Sequence, residues 1–317
     1  MSSLKIAFVW DWEPQIEQTA TWEDGLAGAL KELMKRGHEV GIFMPDTSNY
    51  VIHHPYFDIQ VCENLPVIVH AWKPDVILCW GDFTRPNAQP LRELNVPMAI
   101  CFAGGEADTY NTPYFDHIFV ESVIYKTKLK DAGYDNVSIA FGTNTDRFTP
   151  IKQNKRFDTI FPATFAAWKR HDLYAQATGG LNALAVGYMY SDHEQECWQV
   201  CVDRGVTVLP HTSAPVLQYL YAASRVCVIP SRSDGGSQRT VLEAMAMNLP
   251  VIVCDSDKFD FAQDLVYRAE PTAESIKGYL AALLDGEHEA NTRDYILENW
   301  SHIQYADSLE KGLYEII

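Results

Sequence analysis

Short apolar runs alternate with amphipathic stretches along almost the whole chain of 317 residues. An apolar run bounded by turn residues is typical of a strand buried on both faces. Apolar residues that recur at helical spacing are typical of a helix that packs on a sheet. The alternation of the two patterns therefore predicts an α/β fold in which parallel sheets are covered by helices.

The pattern also predicts the position of each strand. The predicted strands are Leu4–Trp10, His38–Met44, Asp75–Trp80, Pro97–Phe102, His117–Glu121, Val137–Phe141, Asp158–Ala163, Ala183–Gly187, Val206–Pro210, Val226–Pro230 and Val251–Cys254. Between the first two strands, Thr21 is a candidate N-cap for a helix over Trp22–Arg36, and Gly37 is placed to end that helix.

A polar segment divides the chain into two similar halves. The segment runs from Gly142 to Arg156 and has the composition of a linker. The alternation of strands and helices restarts after it, so each half has the pattern of a Rossmann-like unit. We therefore predict a first domain over residues 1–149 and a second domain from residue 150.

The charge balance narrows the classes of partner. Lys and Arg total 25 against 42 Asp and Glu, a formal net charge of −17. Nucleic acid and anionic lipid both favour a positive surface, so this balance disfavours them. No apolar run is long enough to span a bilayer. The first apolar run is interrupted by Asp11 and is interpreted as a strand rather than a signal peptide, so we expect a cytoplasmic protein.

Two groups of side chains have spacings that could suit a metal ion. His193, Cys197 and Cys201 recur every fourth residue and share a helical face, but no fourth ligand is evident and an ordinary packed helix is the default. Asp255 and Asp257 have the Asp-x-Asp spacing of some metal–diphosphate sites, and two acids in a surface loop are the alternative. We predict no metal site from either group.

The segment from Tyr221 to Ser256 contains the strongest candidate binding site. Gly235 and Gly236 stand between an apolar strand and a helix over about Gln238–Met247. Because glycine lets a ligand approach the backbone, and a helix N-terminus favours an anion, this turn is a candidate phosphate site. Glu243 lies off the apolar stripe of the helix, where it could bind ribose hydroxyls or simply pair with Arg239 on a solvated face.

Several motifs, in order, resemble those of retaining glycosyltransferases of the GT-B fold, closest to glycosyltransferase family 4. The motifs are MKRGHEVGIFM from Met34, PDVI from Pro74, FGTNTDRFTP from Phe141, KRHDL from Lys169, the block Pro230–Ile252 and the C-terminal segment Trp300–Tyr314. The resemblance implies two Rossmann-like domains that face each other across a cleft. It also implies that residues 150–298 form the donor domain and that residues 299–317 form a helix crossing back to the first domain.

The same resemblance implies roles for individual residues. Lys169 matches the lysine that neutralises the donor diphosphate, and Glu243 matches the glutamate that binds the ribose. The other residues implied on the donor side are Arg170, His211, Gly235, Gly236, Ser237, Gln238 and Arg239, with Asp234 for the sugar hydroxyls. The candidates on the acceptor side are Asp11, Trp12, Glu13, Gly104, Gly105 and Glu106.

The chain departs from the family pattern at four places. The histidine expected after the fourth strand of the first domain is missing, and DSDKFD from Asp255 stands where a glycine pair is expected. Gly235 stands where the family has its first glutamate, so Asp234 serves in that role only if the turn carries one extra residue. Thr164 stands where the family has an arginine, and Arg170 is the candidate to supply that charge. These departures keep a second function class open.

The favoured function is transfer of a sugar from a UDP-, GDP- or ADP-sugar to an acceptor hydroxyl of a glycan, a lipid-linked glycan or a small molecule. By family implication the transfer retains the anomeric configuration and requires neither metal nor cofactor. One alternative is a GT-B protein that binds a nucleotide sugar without transferring it. A further alternative is glycosylation of a modified DNA base, which the net charge of −17 disfavours.

Overall fold

The computed structural model describes residues 2–11, 16–81, 85–102, 112–189, 192–232, 239–254, 262, 264–286 and 290–317. The chain forms two compact units. Unit 1 comprises Met1–Gly142 together with His302–Ile317, and unit 2 comprises Thr143–Ser301. Each unit is built around its own sheet. No helix among the described residues is both long and apolar enough to cross a membrane.

Unit 1 contains a sheet whose described strands run in the order β3-β4-β2-β1-β5-β6-β7-β8. All neighbouring strands are parallel except β3 and β4, which are antiparallel. Its elements are β1 (Lys5–Trp10), α1 (Ile16–Ala20), α2 (Gly25–Lys35), β2 (Glu39–Pro45), β3 (Tyr50–His53), β4 (Asp58–Cys62), α3 (Leu65–Trp72), β5 (Val76–Trp80), α4 (Arg85–Arg92), β6 (Met98–Cys101), β7 (His117–Val120), α5 (Val123–Asp131) and β8 (Val137–Ile139). The central strands β1 and β5 are almost completely buried, as their continuous apolar sequences require.

Unit 2 contains a parallel sheet in the order β11-β10-β9-β12-β13-β14. Its elements are β9 (Phe157–Pro162), α6 (His171–Ala177), β10 (Ala183–Gly187), α7 (Asp192–Asp203), β11 (Thr207–Pro210), α8 (Ala214–Ala222), β12 (Ser224–Ile229), α9 (Arg239–Ala246), β13 (Val251–Cys254), β14 (Tyr267–Ala269), α10 (Ala273–Leu284) and α11 (Arg293–Asn299). Every predicted strand has a counterpart in one of the two sheets, so the predicted parallel α/β architecture is confirmed.

The predicted start of the first long helix is wrong. Helix α2 begins at Gly25, and its N-cap is Asp24, whose carboxylate accepts hydrogen bonds from the backbone N–H groups of Leu26 and Ala27. Trp22 lies outside the helix, and its carbonyl oxygen is 2.7 Å from His54 Nε2. A carboxylate at the N-cap pairs with two N–H groups that have no partner inside the helix, and its negative charge is stabilised by the helix dipole. This explains why α2 begins at Gly25 rather than at Trp22.

The last helix, α12 (His302–Tyr314), belongs to unit 1 and packs against α2. Arg36 Nη1 lies 2.7 Å from Glu310 and 2.8 Å from Asp307, both on α12. His38 accepts a hydrogen bond at Nδ1 from the backbone N–H of Leu4, so its Nε2 carries the proton and donates to Glu310 at 3.0 Å. The charged groups at the end of α2 therefore hold the C-terminal helix in place.

The polar segment that the composition identifies as a linker is packed against unit 2. Thr145 and Phe148 are 3% and 1% exposed. The guanidinium of Arg293 donates to the carbonyl oxygens of Phe148 at 2.6 Å, Ala246 at 2.8 Å and Thr145 at 3.0 Å, and to Thr149 Oγ1 at 3.1 Å. Arg293 thereby joins this segment to the C-terminal end of α9.

Candidate functional site

Four neighbouring strands of unit 2 end at one edge of its sheet, and each is followed by a candidate functional residue. In sheet order, His211 follows β11, Tyr188 follows β10, Lys169 follows β9, and Arg232 follows β12. Because the strands are parallel, these residues share the carboxyl edge, where open α/β sheets bind ligands. We call this set of loops the carboxyl edge of unit 2.

Lys169 ends a short 3-10 turn, Ala167–Lys169, on this edge. Its Nζ lies 3.8 Å from the centre of the ring of Trp168, which is 41% exposed. The carbonyl oxygen of Trp168 accepts a hydrogen bond of 2.9 Å from the backbone N–H of Arg232. This bond fixes the lysine turn beside the point where the chain enters residues 233–238, which contain the glycine pair.

The loop before Lys169 is positioned by an unusually close backbone contact. A Cβ on Gly187 would lie 1.7 Å from the carbonyl oxygen of Ala163. Backbone hydrogen bonds of 2.9 Å join Ala163 to Val186 and Phe165 to Tyr188. The end of β10 is thus held against the loop after β9, and only glycine allows the two backbones to approach this closely.

Arg170 directs its side chain to another loop. Its backbone has a φ of 60°, in the left-handed region, and it is both the C-cap of the 3-10 turn and the N-cap of α6. One guanidinium nitrogen donates to the carbonyl oxygen of Pro271 at 3.1 Å. The side chain of Arg170 therefore binds the loop between β14 and α10.

Glu243 is buried on α9, with only 4% of its surface exposed. The hydroxyl of Tyr221, which is completely buried, donates to Glu243 Oε2 at 3.0 Å. Burial and, secondly, the carboxylate of Glu243 hold the pKa of Tyr221 well above its usual value, so the hydroxyl keeps its proton. The alternative in which Glu243 belongs to a solvated face is wrong, because the α9 side chains from Val241 to Ala246 are buried.

His211 forms a stacked pair with Tyr188. The two rings lie 3.6 Å apart between centroids and are inclined by 13°. Tyr188 Oη and His211 Nε2 are 2.6 Å apart. His211 is exposed and Tyr188 is half-buried, so the pair is a flat aromatic group at the carboxyl edge, of the kind on which a planar base stacks.

His171 lies directly behind the lysine turn and is 1% exposed. Its ring packs between Phe165, at 4.4 Å, and Phe161, at 4.7 Å. Among the described residues neither ring nitrogen has a hydrogen-bond partner. Burial and, secondly, the charge of Lys169 lower the pKa of His171 to about 3. The imidazole is therefore neutral in the folded protein at neutral pH.

This histidine makes the protein sensitive to acid. The pKa of His171 in the folded state, about 3, lies below its value of 6.5 in the unfolded chain, so the unfolded chain binds the extra proton. The stability it contributes is present above pH 6.5 and is lost as the pH falls from there towards 3. We expect the free energy of unfolding to fall by ~2 kcal/mol more in the wild type than in His171→Leu between pH 7 and pH 5.

Denaturant titrations at pH 7, 6 and 5 measure this difference. The matched control is His70→Gln, which changes an exposed histidine on α3 and is expected to follow the wild-type pH dependence. Equal pH dependences for the wild type and His171→Leu would contradict the assignment of a neutral, buried imidazole.

Many of the residues predicted for the site lie outside the described residues. These are Asp234, Gly235, Gly236, Ser237, Gln238, Trp12, Glu13, Gly104, Gly105 and Glu106. Arg239 is the first residue of α9, and Asp11 accepts a hydrogen bond of 2.6 Å from Asn87 at the carboxyl end of β1. Their proposed roles remain predictions.

The described residues contain no group of three His, Cys, Asp or Glu side chains placed to hold a metal ion. Cys201 is buried, and its Sγ lies 3.9 Å from the carbonyl oxygen of His171. The side chain of His193 and the segment Asp255–Asp257 lie outside the described residues.

The structure adds three aromatic residues that the motif analysis missed: Trp168, Tyr188 and Tyr221. Trp168 and Tyr188 each follow a strand of unit 2 closely, and Tyr221 is near the end of α8. An aromatic residue just after a predicted strand is a usable signal for the first two. The contact of Tyr221 with Glu243 spans 22 positions of the sequence and has no local signal.

Unit 1 carries an aromatic cluster at the carboxyl ends of β1 and β5. The ring of Trp10 lies 4.6 Å from that of Trp22 and 5.1 Å from that of Trp80. All three are partly exposed. Asp11 continues β1 beyond this cluster, and its backbone N–H donates to the carbonyl oxygen of Trp80 at 3.2 Å.

Comparison with known proteins supports both the fold and the motif resemblance. Residues 156–284 match the model of the family described as glycosyl transferases group 1. No curated protein matches the chain.

The chain is similar to sucrose-phosphate synthase from Thermosynechococcus elongatus, with 16% identity, a TM-score of 0.72 and 98% of each chain covered. It is similar to a glycosyltransferase from Rickettsia africae, with 15% identity, a TM-score of 0.72, and coverage of 100% of this chain and 99% of the other. It is also similar to HepE from Anabaena, solved with UDP and glucose, with 13% identity, a TM-score of 0.72, and coverage of 98% and 100%. The predicted GT-B fold and the group 1 resemblance are confirmed.

Proposed function

From the premise that this chain has the GT-B fold and carries a glycosyl transferases group 1 sequence over residues 156–284, we propose that it is a glycosyltransferase. It takes a sugar from a nucleoside-diphosphate sugar and transfers it to an acceptor hydroxyl, with retention of the anomeric configuration. One observation carries the proposal. Lys169 is fixed by the Trp168–Arg232 bond beside the entrance to the glycine turn, and Glu243 follows that turn on α9.

Lys169 supplies positive charge for the leaving group. The bond between the sugar C1 and the diphosphate oxygen breaks, so negative charge grows on that oxygen in the transition state. A preorganised ammonium beside the diphosphate stabilises this charge more than it stabilises the bound donor. The Lys169 ammonium lies 3.8 Å from the centre of the Trp168 ring, a cation–π contact that helps to hold it on the turn.

The acceptor oxygen forms the new bond to C1 on the face that the diphosphate leaves. The hydroxyl proton passes to the departing phosphate oxygen, so the products are the glycoside and the protonated nucleoside diphosphate. This scheme uses no protein nucleophile and no metal ion. Glu243 binds the ribose, Asp234 the sugar hydroxyls, and the backbone at Gly236 and Ser237 the outer phosphate.

Residues of unit 2 suggest the kind of donor, and residues of unit 1 suggest the kind of acceptor. The Tyr188–His211 stack, whose histidine is exposed, suits a nucleobase. HepE, a similar structure, is described with UDP-glucose. UDP-sugars are therefore the first donors to test, ahead of GDP- and ADP-sugars. On the acceptor side, Asp11 and the partly exposed Trp10, Trp22 and Trp80 favour a glycan, because aromatic faces pack well on sugar rings.

The test is release of nucleoside diphosphate from UDP-glucose, UDP-N-acetylglucosamine, GDP-mannose and ADP-glucose, with simple glycans as acceptors and with EDTA present. We expect turnover of one donor, unchanged by EDTA, and a product whose anomeric proton shows the configuration of the donor sugar by NMR. Inversion would contradict retention, and loss of rate with EDTA would contradict metal independence. Absence of turnover with every donor would contradict the enzyme assignment.

One observation favours the alternative function, nucleotide-sugar binding without transfer. Thr164 stands at the position of the family's arginine, and the guanidinium of Arg170 contacts the carbonyl oxygen of Pro271. A protein of this class would bind the nucleotide but release none from any of the four donors. Binding without turnover therefore separates the two functions.

A further inference from the structure

Resting on the proposed function, we infer that Tyr221 is a positioning residue that fixes Glu243 for recognition of the ribose. The 143–149 segment supports Tyr221 in this role through Phe148. Phe148 lies in the FGTNTDRFTP motif, but no motif pairs it with Tyr221. The two residues are 73 positions apart in the sequence, and only the fold brings their rings together.

The carboxylate of Glu243 is buried inside unit 2. Glu243 is 4% exposed, and a buried carboxylate is costly unless hydrogen bonds replace its lost water. The Tyr221 hydroxyl donates to Oε2 at 3.0 Å and lies 3.3 Å from the carbonyl oxygen of Thr240 on the same helix. The hydrogen bond from Tyr221 therefore fixes the carboxylate on α9.

The ring of Tyr221 is held in place by Phe148. Phe148, 1% exposed, meets that ring edge-on, with centroids 5.9 Å apart and planes at 82°. The carbonyl oxygen of Phe148 accepts a hydrogen bond of 2.6 Å from Arg293. Arg293 also donates to the carbonyl oxygen of Ala246 at the end of α9. The segment, the tyrosine and the helix that carries Glu243 thus form one packed network within unit 2.

This network decides how well Glu243 can bind the ribose hydroxyls of a nucleotide. A ribose hydroxyl donates a hydrogen bond to a carboxylate only if the carboxylate is held in the right orientation. Without the Tyr221 hydroxyl, Glu243 can turn towards other donors, and the ribose contact weakens. Nucleotides that lack the ribose hydroxyls do not use this contact, so their affinity should hardly change.

The experiment compares dissociation constants by calorimetry for UDP, GDP and ADP and for the 2′,3′-dideoxy form of each. For the nucleotide that binds, we expect the wild type to bind the dideoxy form at least tenfold more weakly. Tyr221→Phe should weaken binding of the full nucleotide about tenfold and binding of the dideoxy form less than twofold. The preference for the full nucleotide over the dideoxy form then largely disappears. Glu243→Gln should show the same loss, and the double variant should be no worse than Glu243→Gln alone.

A matched control comes from Tyr174, another completely buried tyrosine of unit 2. Its hydroxyl bonds to Thr159 Oγ1 at 2.8 Å and to the carbonyl oxygen of Leu184 at 2.9 Å. Tyr174→Phe should lower the thermal midpoint but keep the wild-type preference for the full nucleotide. Phe148→Leu, which keeps the hydroxyl of Tyr221 but loses the supporting ring, should give an intermediate preference.

Failure of the donor site and failure of the positioning role of Tyr221 give different results in this experiment. A wild type that binds none of the nucleotides, or that binds full and dideoxy forms equally, overturns both the donor site and this inference. If Glu243→Gln loses the preference but Tyr221→Phe and Phe148→Leu keep it, only the positioning role is overturned. If Tyr174→Phe loses it as well, the effect is one of general stability and the inference is overturned.

Discussion

Replacing Lys169 by methionine is expected to slow sugar transfer by a factor of 10²–10³. Methionine keeps an unbranched side chain over the Trp168 ring but removes the ammonium, which lies 3.8 Å from the ring centre at the carboxyl edge. The departing diphosphate then loses its preorganised positive charge. Because that charge matters most in the transition state, kcat should fall more than the affinity for the donor. Nucleoside diphosphate release under saturating donor measures kcat.

The control for this variant is Lys152→Met, which removes a lysine from an exposed part of unit 2 and should keep the wild-type rate. Binding supplies a second readout. Lys169→Met should weaken binding of a nucleoside diphosphate more than binding of the matching nucleoside monophosphate, because the monophosphate lacks the outer phosphate. A rate within about threefold of wild type would remove Lys169 from the proposed mechanism.

Replacing Gly187 by alanine is expected to destabilise unit 2 by ~3 kcal/mol or more. The added Cβ would lie 1.7 Å from the carbonyl oxygen and 2.5 Å from the carbonyl carbon of Ala163. Both are backbone atoms at the end of a central strand, so no side-chain rotation can relieve the overlap. The thermal midpoint should fall by roughly 10 °C. Calorimetric unfolding measures the change.

Gly278→Ala is the matched control for that substitution. Gly278 lies inside α10, and a Cβ added there would meet nothing within 4 Å. Alanine in a helix interior is favoured over glycine by ~0.5–1 kcal/mol, so this variant should be slightly more stable than the wild type. A thermal midpoint of Gly187→Ala equal to that of the wild type would contradict the close approach of β10 to the loop after β9.

The sequence predicted the sheets well because parallel strands buried on both faces are continuous apolar runs. The sequence pattern does not predict β3, β4 or the short strand β14. In β3, the edge strand, and in β4 beside it, polar residues such as His53 and Asp58 alternate with apolar ones. The sequence predicts the N-cap of α2 at Thr21 and its start at Trp22, because a threonine before an apolar run is a common cap. Asp24 is the N-cap instead, and its own hydrogen bonds decide the boundary.

The candidate site was predictable where a single motif carries the chemistry and unpredictable where two distant segments meet. Lys169 and Glu243 stand in motifs, and the fold places Lys169 at the carboxyl edge and Glu243 on the helix after the glycine turn. The bond of Glu243 to Tyr221 joins a residue of α8 to one of α9, 22 positions apart, which local patterns do not encode. The polar composition of the 142–156 segment likewise concealed buried residues such as Thr145 and Phe148.

The measurement that tests the central claim most directly is a thermal-shift titration with UDP, GDP and ADP. It compares the wild type with Lys169→Met and Glu243→Gln. At about 100 times its dissociation constant, the correct nucleotide should stabilise the wild type by ~2.7 kcal/mol, a shift of a few degrees. Both variants should show a smaller shift at the same concentration. No shift with any of the three nucleotides, or equal shifts in all three proteins, would contradict a nucleotide site built on Lys169 and Glu243.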